Sequence, residues 1–165
     1  MAATRAPRLV AGYDGSPESR RAVAVAAKRA GRRGTLWVVH THLPPPGLYD
    51  VVDGARWRAE HIDRAQALLD TLLLTGDAEL LDTNYHAELR EGSAAAGLLA
   101  AAREHDADEI VVGSRGLGSV RALLGSVSHE LLAMADRPVL VIPAGAVAQA
   151  PHVEGCAVTS VHSRR

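Results

Sequence analysis

One short apolar run that ends in glycine limits the folds open to this chain. Ile110, Val111 and Val112 are apolar and β-branched, a pattern typical of a strand buried on both faces of a parallel sheet. Gly113 follows at once, and Gly116 comes three residues later. Glycine lets the backbone turn sharply and come close to a ligand. The segment therefore predicts a buried strand that stops at a loop.

A helix is predicted to begin after this loop, at Gly125. Ser126 is a good N-cap, and Val127, Leu131 and Met134 lie at positions i, i+4 and i+7 of one helical face. The unpaired N–H groups and the positive dipole end of a helix start favour an anion. We therefore expect a phosphate-binding site, to which two arginines of the intervening loop could add charge. They are Arg115 and Arg121.

Two better-known nucleotide motifs do not fit this sequence. The Walker P-loop needs a lysine after its second glycine, and the only lysine of the chain, Lys28, is far from such a spacing. The dinucleotide fingerprint needs a small third residue, where the run that starts at Gly116 has Arg121. What remains is Gly-x-x-Gly, eight residues, then Gly-Ser. Glycine-rich loops of this kind also occur as plain tight turns, and the loop alone leaves that alternative open.

The amino-terminal segment predicts a second half of the same site. An apolar run from Leu9 ends at Asp14, and Ser16 with Pro17 then has the pattern of an N-cap and first helical position. In an open parallel sheet the carboxyl ends of the strands line the ligand crevice. Asp14 and the Gly113 loop therefore meet there if their two strands are neighbours.

The rest of the pattern predicts an α/β fold with five strands and four helices, in which right-handed crossovers leave few topologies. In the long helix, one face is predicted to carry Ile62, Ala65, Leu69, Leu72 and Leu73. The predicted strands are 8–13, 36–39, 84–89, 110–112 and 139–142, and the predicted helices are 17–30, 55–74, 94–103 and the one that starts at Gly125. The third strand has the alternation of an edge strand, and Pro138 and Pro143 suit an edge position for the fifth.

Four separated segments of the chain resemble the universal stress protein family. They are the Val10–Ser16 opening, Ile110–Gly116, Gly125–Ser128 and the closing Arg137–Pro143, and they occur in the family's order over residues 8–143. The resemblance implies a doubly wound α/β domain: a five-stranded parallel sheet in the order 3-2-1-4-5, with helices on both faces. Residues 144–165 lie outside the family pattern and are expected to form a flexible tail.

The resemblance also implies a bound adenine nucleotide, ATP or else AMP or ADP, with Mg²⁺ or Mn²⁺ held through its phosphates. Asp14 matches the position that contacts adenine, Gly12 and Thr41 flank it, and Val112 packs against the base. The ribose and phosphates fall to the glycine segments. The predicted binding residues of the second half are Val112, Gly113, Ser114, Arg115, Gly116, Arg121, Gly125, Ser126, Val127 and Ser128. The family usually has nine residues between the second and third glycines, whereas 117–124 are eight, so we expect weakened binding of the terminal phosphates of ATP.

Composition excludes several other classes of protein. A net charge of -1 argues against a nucleic-acid partner or a polybasic membrane patch. The single cysteine, Cys156, excludes an intrachain disulfide, no apolar run reaches the roughly 20 residues that span a bilayer, and the start of the sequence lacks a signal-peptide core. We therefore expect a cytoplasmic protein. His40 and His42 would share one strand face as a metal pair, but no third ligand is near in sequence, so no metal site is predicted.

The sequence identifies no catalytic residue, and three functions stay open. The first is a dimeric stress-response regulator or sensor that binds ATP and passes its state to a protein partner that the sequence does not name. The dimer would form through Val139–Ile142. The second is a slow ATP hydrolase, and the third is an interaction protein of the same fold without a nucleotide.

Overall fold

The computed structural model describes residues 5–43, 54–74, 80, 82–114 and 124–143. Five strands and four helices have their bounds within these residues, as the sequence predicts, and Leu80 is helical as well. In chain order they are β1 (Arg8–Gly12), α1 (Pro17–Ala30), β2 (Thr35–His42), α2 (Gly54–Leu74), β3 (Asn84–Glu91), α3 (Ala94–Glu104), β4 (Glu109–Gly113), α4 (Ser126–Met134) and β5 (Val139–Ile142). Three predictions lie partly or wholly outside the described residues: the loop with Arg115, Gly116 and Arg121, the side chain of Leu73, and the tail 144–165.

The five strands form one parallel sheet in the order β3-β2-β1-β4-β5, which confirms the predicted topology. The chain passes from β1 to β2 and then to β3, towards one edge of the sheet, whereas it passes from β4 to β5 towards the other edge. The direction therefore reverses between the adjacent strands β1 and β4, and this is the place where open α/β sheets bind ligands. β3 and β5 form the two edges, as predicted.

Each face of the sheet is covered by one pair of helices. Leu9, Ala11 and Val111 lie in one apolar core with α1 and α2, while Val10 and Ile110 lie in the other with α3 and α4. Successive side chains of a strand point to opposite faces. The central strands are apolar at nearly every position because both of their faces are covered.

Serine side chains cap two of the four helix starts, and the sequence predicts the cap at Ser16. Ser16 Oγ accepts the N–H of Ser19 at 3.1 Å, and Ser93 caps α3 in the same way. The start of α4 differs, because Gly125 is the N-cap and Ser126 is the first helical residue. The prediction of Ser126 as N-cap was therefore wrong by one residue. Gly125 donates its N–H to the Ser114 carbonyl, and this bond fixes its extended backbone.

Other differences arise where tertiary contacts outweigh local pattern. β2 and β3 are longer than predicted, because they pair with each other along eight residues up to His42 and Glu91. Two side chains predicted to be buried, Ile62 and Met134, are exposed. Both lie towards a helix end: Ile62 is nearer the amino end of α2 than the buried residues, and Met134 is the last residue of α4. Ala65, Leu69 and Leu72 of α2 are buried as predicted.

Hydrogen bonds at the amino edge of the sheet hold the two central strands in register. Asp108, just before β4, accepts the main-chain N–H of Arg8 in β1 at 2.8 Å and a side-chain bond from Arg5. Burial tends to raise the pKa of the Asp108 carboxyl, but these hydrogen bonds outweigh burial and lower that pKa below its ordinary value. These bonds therefore hold β1 and β4 together at the edge of the sheet opposite the crevice.

Leu131 anchors α4 to the sheet, so its truncation should destabilise the protein. The side chain is fully buried, whereas that of the next residue, Leu132, is 52% exposed. We expect Leu131→Ala to lower the free energy of unfolding in urea by about 2–5 kcal/mol, because it leaves a cavity in the core. Leu132→Ala, the matched control, should change it by less than about 0.5 kcal/mol. Equal losses for the two variants would contradict this packing.

Candidate functional site

The candidate site lies at the carboxyl edge of the sheet, where β1 and β4 end side by side. The register pairs Ala11 with Val111, so Gly12 and Val112 are the next neighbours along the two strands. The segments that leave these strands carry Asp14 and Ser114. The condition set by the sequence analysis, that the two strands be adjacent, is met.

A tight turn holds Asp14 beyond the end of β1. Asp14 Oδ1 accepts the N–H of Ser16 at 3.0 Å, while the Asp14 N–H donates to Ser19 Oγ at 3.3 Å. Gly15 between them has a φ of 84°, a conformation that favours glycine. The carboxylate is therefore fixed at the start of α1 and is only half-buried.

His40 of β2 fixes the residue before this turn, a role that the sequence analysis missed. Its Nδ1 lies 2.7 Å from the Tyr13 carbonyl oxygen, and Tyr13 donates its own N–H to the Val39 carbonyl at 2.9 Å. A carbonyl only accepts, so Nδ1 must carry the proton. Among the residues the structure describes, no group of three potential ligands could hold a metal, so His40 and His42 have no third partner there. No sequence signal links His40 to Tyr13, because they are distant in the chain.

Three of the predicted adenine contacts lie on the sheet face that α3 covers. A Cβ added to Gly12 would lie 3.1 Å from Leu98 and 3.2 Å from Val112, and Val112 is itself buried. A Cβ on Gly97 of α3 would lie 2.6 Å from the Thr41 methyl group. Glycine at this position lets α3 approach β2 closely. The side chains of Thr41 and Val112 therefore contribute to packing beneath the crevice.

The end of β4 is joined directly to the start of α4. Ser114 donates its N–H to the Ile142 carbonyl of β5 at 2.7 Å, and its own carbonyl accepts the Gly125 N–H at 2.6 Å. The hydroxyl of Ser128 donates to the carbonyls of Ser114, at 3.3 Å, and Gly125, at 3.0 Å. We call these contacts among Ser114, Gly125 and Ser128 the neck. The neck brings the two predicted glycine segments together.

The amino end of α4 begins at a glycine and lacks the serine cap found at the amino ends of α1 and α3. Among the described residues no side chain caps it, and its first main-chain bond is from the His129 N–H to the Gly125 carbonyl. The N–H groups of Ser126, Val127 and Ser128 therefore have no intrahelical partner. This end faces the same edge of the sheet as Asp14. Of the predicted residues, the structure places Gly12, Asp14, Thr41, Val112, Gly113, Ser114 and Gly125–Ser128 at this edge.

A family model for the universal stress protein family matches residues 6–143. The chain belongs to this family. A universal stress protein from Thermus aquaticus, encoded in a QAH/OAS sulfhydrylase 3′ region, is 37% identical over 143 residues, which cover 81% of this chain and 96% of that protein.

Solved structures show the same fold. The universal stress protein UspA from Lactobacillus plantarum superposes with a TM-score of 0.68 at 21% identity, over 85% of this chain and 99% of that one. A universal stress protein in complex with cAMP superposes with a TM-score of 0.55 at 27% identity, over 85% of this chain and 98% of that one. Within the described part of the universal stress protein chain, no helix is long and apolar enough to cross a membrane.

Proposed function

We propose that this universal stress protein binds an adenine nucleotide in the crevice between β1 and β4 and acts as a dimeric, cytoplasmic sensor or regulator in stress response. The observation that carries this proposal is the uncapped amino end of α4 at the edge where Asp14 lies. The nucleotide would bias the conformation of the dimer, or its binding of a protein partner, and the partner would read that state.

The phosphates fit the start of α4. Three adjacent main-chain donors, the N–H groups of Ser126, Val127 and Ser128, lie at the positive end of the helix dipole. Such an end is a ready anion site, and each hydrogen bond to a charged oxygen contributes about 1.5–3 kcal/mol. The predicted contacts from Arg115, Gly116 and Arg121 would add to this site. Mg²⁺ or Mn²⁺ would be held through the phosphates, because these hard cations prefer oxygen ligands.

The base fits the β1 side of the crevice. The Asp14 carboxylate is an acceptor held in a fixed place, and the amino group of adenine is a donor. A solved relative with the same fold carries cAMP, which is itself an adenine nucleotide, and this supports the choice of base. Together the two halves would bind one ligand across the centre of the sheet. The bound ligand would therefore connect the end of β1 to the start of α4.

The first test is calorimetry with ATP and Mg²⁺. We expect saturable binding, and we expect Gly125→Val to abolish it because a branched side chain would stand beside the phosphate donors. Gly125 has a φ of -75°, which valine adopts without strain, so the far-UV circular dichroism should be unchanged. Ala133→Val, an exposed site on the same helix, is the matched control and should bind as the wild type does. Wild-type affinity in Gly125→Val would show that the site is misplaced.

The proposed dimer forms by twofold pairing of β5. This edge strand has half-buried apolar side chains at Val139, Leu140 and Val141, and an unpaired apolar edge invites association. A twofold pairing is self-complementary and closes at two copies.

Light scattering should therefore give the mass of a dimer, and Val141→Asp should shift it towards the monomer. Ala87→Asp places the same charge on an exposed position of the other edge strand and should leave the dimer intact. A wild-type monomer at high protein concentration would rule out the proposed dimer.

A further inference from the structure

We propose that Ser128 is a positioning residue whose hydroxyl closes the neck and so sets where α4 begins, independently of the length of loop 115–124. The proposal rests on the proposed nucleotide site, since the amides that α4 presents are the phosphate donors of that site. It changes the role expected for Ser128 from a ligand contact to a support. It also reverses the expectation that the short spacer weakens the binding of ATP.

The geometry of the neck leaves the Ser128 hydroxyl directed into the protein. Its single proton is shared between two carbonyl oxygens, those of Gly125 at 3.0 Å and Ser114 at 3.3 Å. The Ser114 carbonyl accepts the Gly125 N–H as well, at 2.6 Å. The first residue after β4 is thus joined to the N-cap of α4 both directly and through Ser128.

The neck is also tied to the sheet. Ser114 follows β4 and donates its N–H to the Ile142 carbonyl of β5, and Leu131, one turn beyond Ser128, is fully buried against the sheet. Ser128 itself is 1% exposed, so water cannot readily replace a lost hydroxyl. Without the hydroxyl, each carbonyl keeps its main-chain donor, the Gly125 N–H for Ser114 and the His129 N–H for Gly125, but the side-chain contact that joins the two carbonyls is lost.

Because of these contacts, the position at which α4 begins does not depend on the number of residues in loop 115–124. Loop 115–124 leaves from Ser114 and returns to Gly125, and the two residues are in direct contact. One residue more or less changes the closure entropy of a loop only slightly, because that entropy grows with the logarithm of the loop length. Because the neck holds both ends, an added residue extends the loop and does not move Gly125. The eight-residue spacer is then compatible with full binding of the terminal phosphates.

The experiment compares three variants of the full chain by calorimetry with ATP and with AMP. Ser128→Ala should weaken ATP binding about ten- to a hundredfold, the loss of about one phosphate hydrogen bond, while AMP changes less than about twofold. The matched control is Thr83→Val, because Thr83 is also buried and its hydroxyl donates to a carbonyl, that of Ala27, at 3.1 Å. It should change neither affinity. A glycine inserted after Gly118, which restores nine residues, should change ATP affinity less than about twofold.

Amide hydrogen exchange of the nucleotide-free protein gives a second readout. The Gly125 N–H should exchange faster in Ser128→Ala than in the wild type, and at the wild-type rate in Thr83→Val. Unchanged exchange at Gly125, equal losses for ATP and AMP, or an insertion that tightens ATP would each overturn the proposal. If the wild type binds neither nucleotide, the proposed function fails, and the exchange rate of Gly125 then decides alone whether Ser128 closes the neck.

Discussion

The parallel pairing of β1 with β4 supports every part of the candidate site. The two strands lie at the centre of the sheet, both of their faces are covered by helices, and Asp108 holds their amino ends together through the Arg8 N–H. Because the crossover direction reverses between them, the helices that follow the two strands lie on opposite faces of the sheet and leave a crevice at the carboxyl ends. Asp14 and Ser114 enter this crevice from the two strands. The core thus fixes the spacing between the two halves of the site before any ligand is present.

The two halves are built by different physical means. On the β1 side, side-chain caps and the His40–Tyr13 contact hold a tight turn, and the start of α1 is already satisfied by Ser16. On the β4 side, the neck uses main-chain carbonyls and one buried hydroxyl, and the first amides of α4 have no partner within the helix. This asymmetry gives the crevice an acceptor at one end and donors at the other. A ligand with an amino-bearing base and a phosphate has the complementary arrangement.

The sequence was sufficient where a structure depends on local pattern. The extent of α1, its Ser16 cap and the buried strand before Gly113 follow from periodicity and capping, and the family resemblance supplied the strand order. It was insufficient where residues distant in the chain decide the outcome. Ser126 has the local pattern of an N-cap, but Gly125 is the N-cap because its N–H donates to the Ser114 carbonyl. The role of His40 likewise depends on Tyr13, and no spacing rule connects them.

The central claim is that α4 and Asp14 grip one nucleotide across the β1–β4 gap, and an amide chemical-shift titration with ATP and Mg²⁺ tests it most directly. The account predicts saturable shifts with a single dissociation constant at Asp14, Ser126 and Val127. The chemical shift of the Ala96 amide at the start of α3 should not change, because this N–H already donates to Ser93 Oγ. Shifts that are confined to other surfaces, or that affect Asp14 and α4 with different dissociation constants, would contradict a single site that spans the two strands.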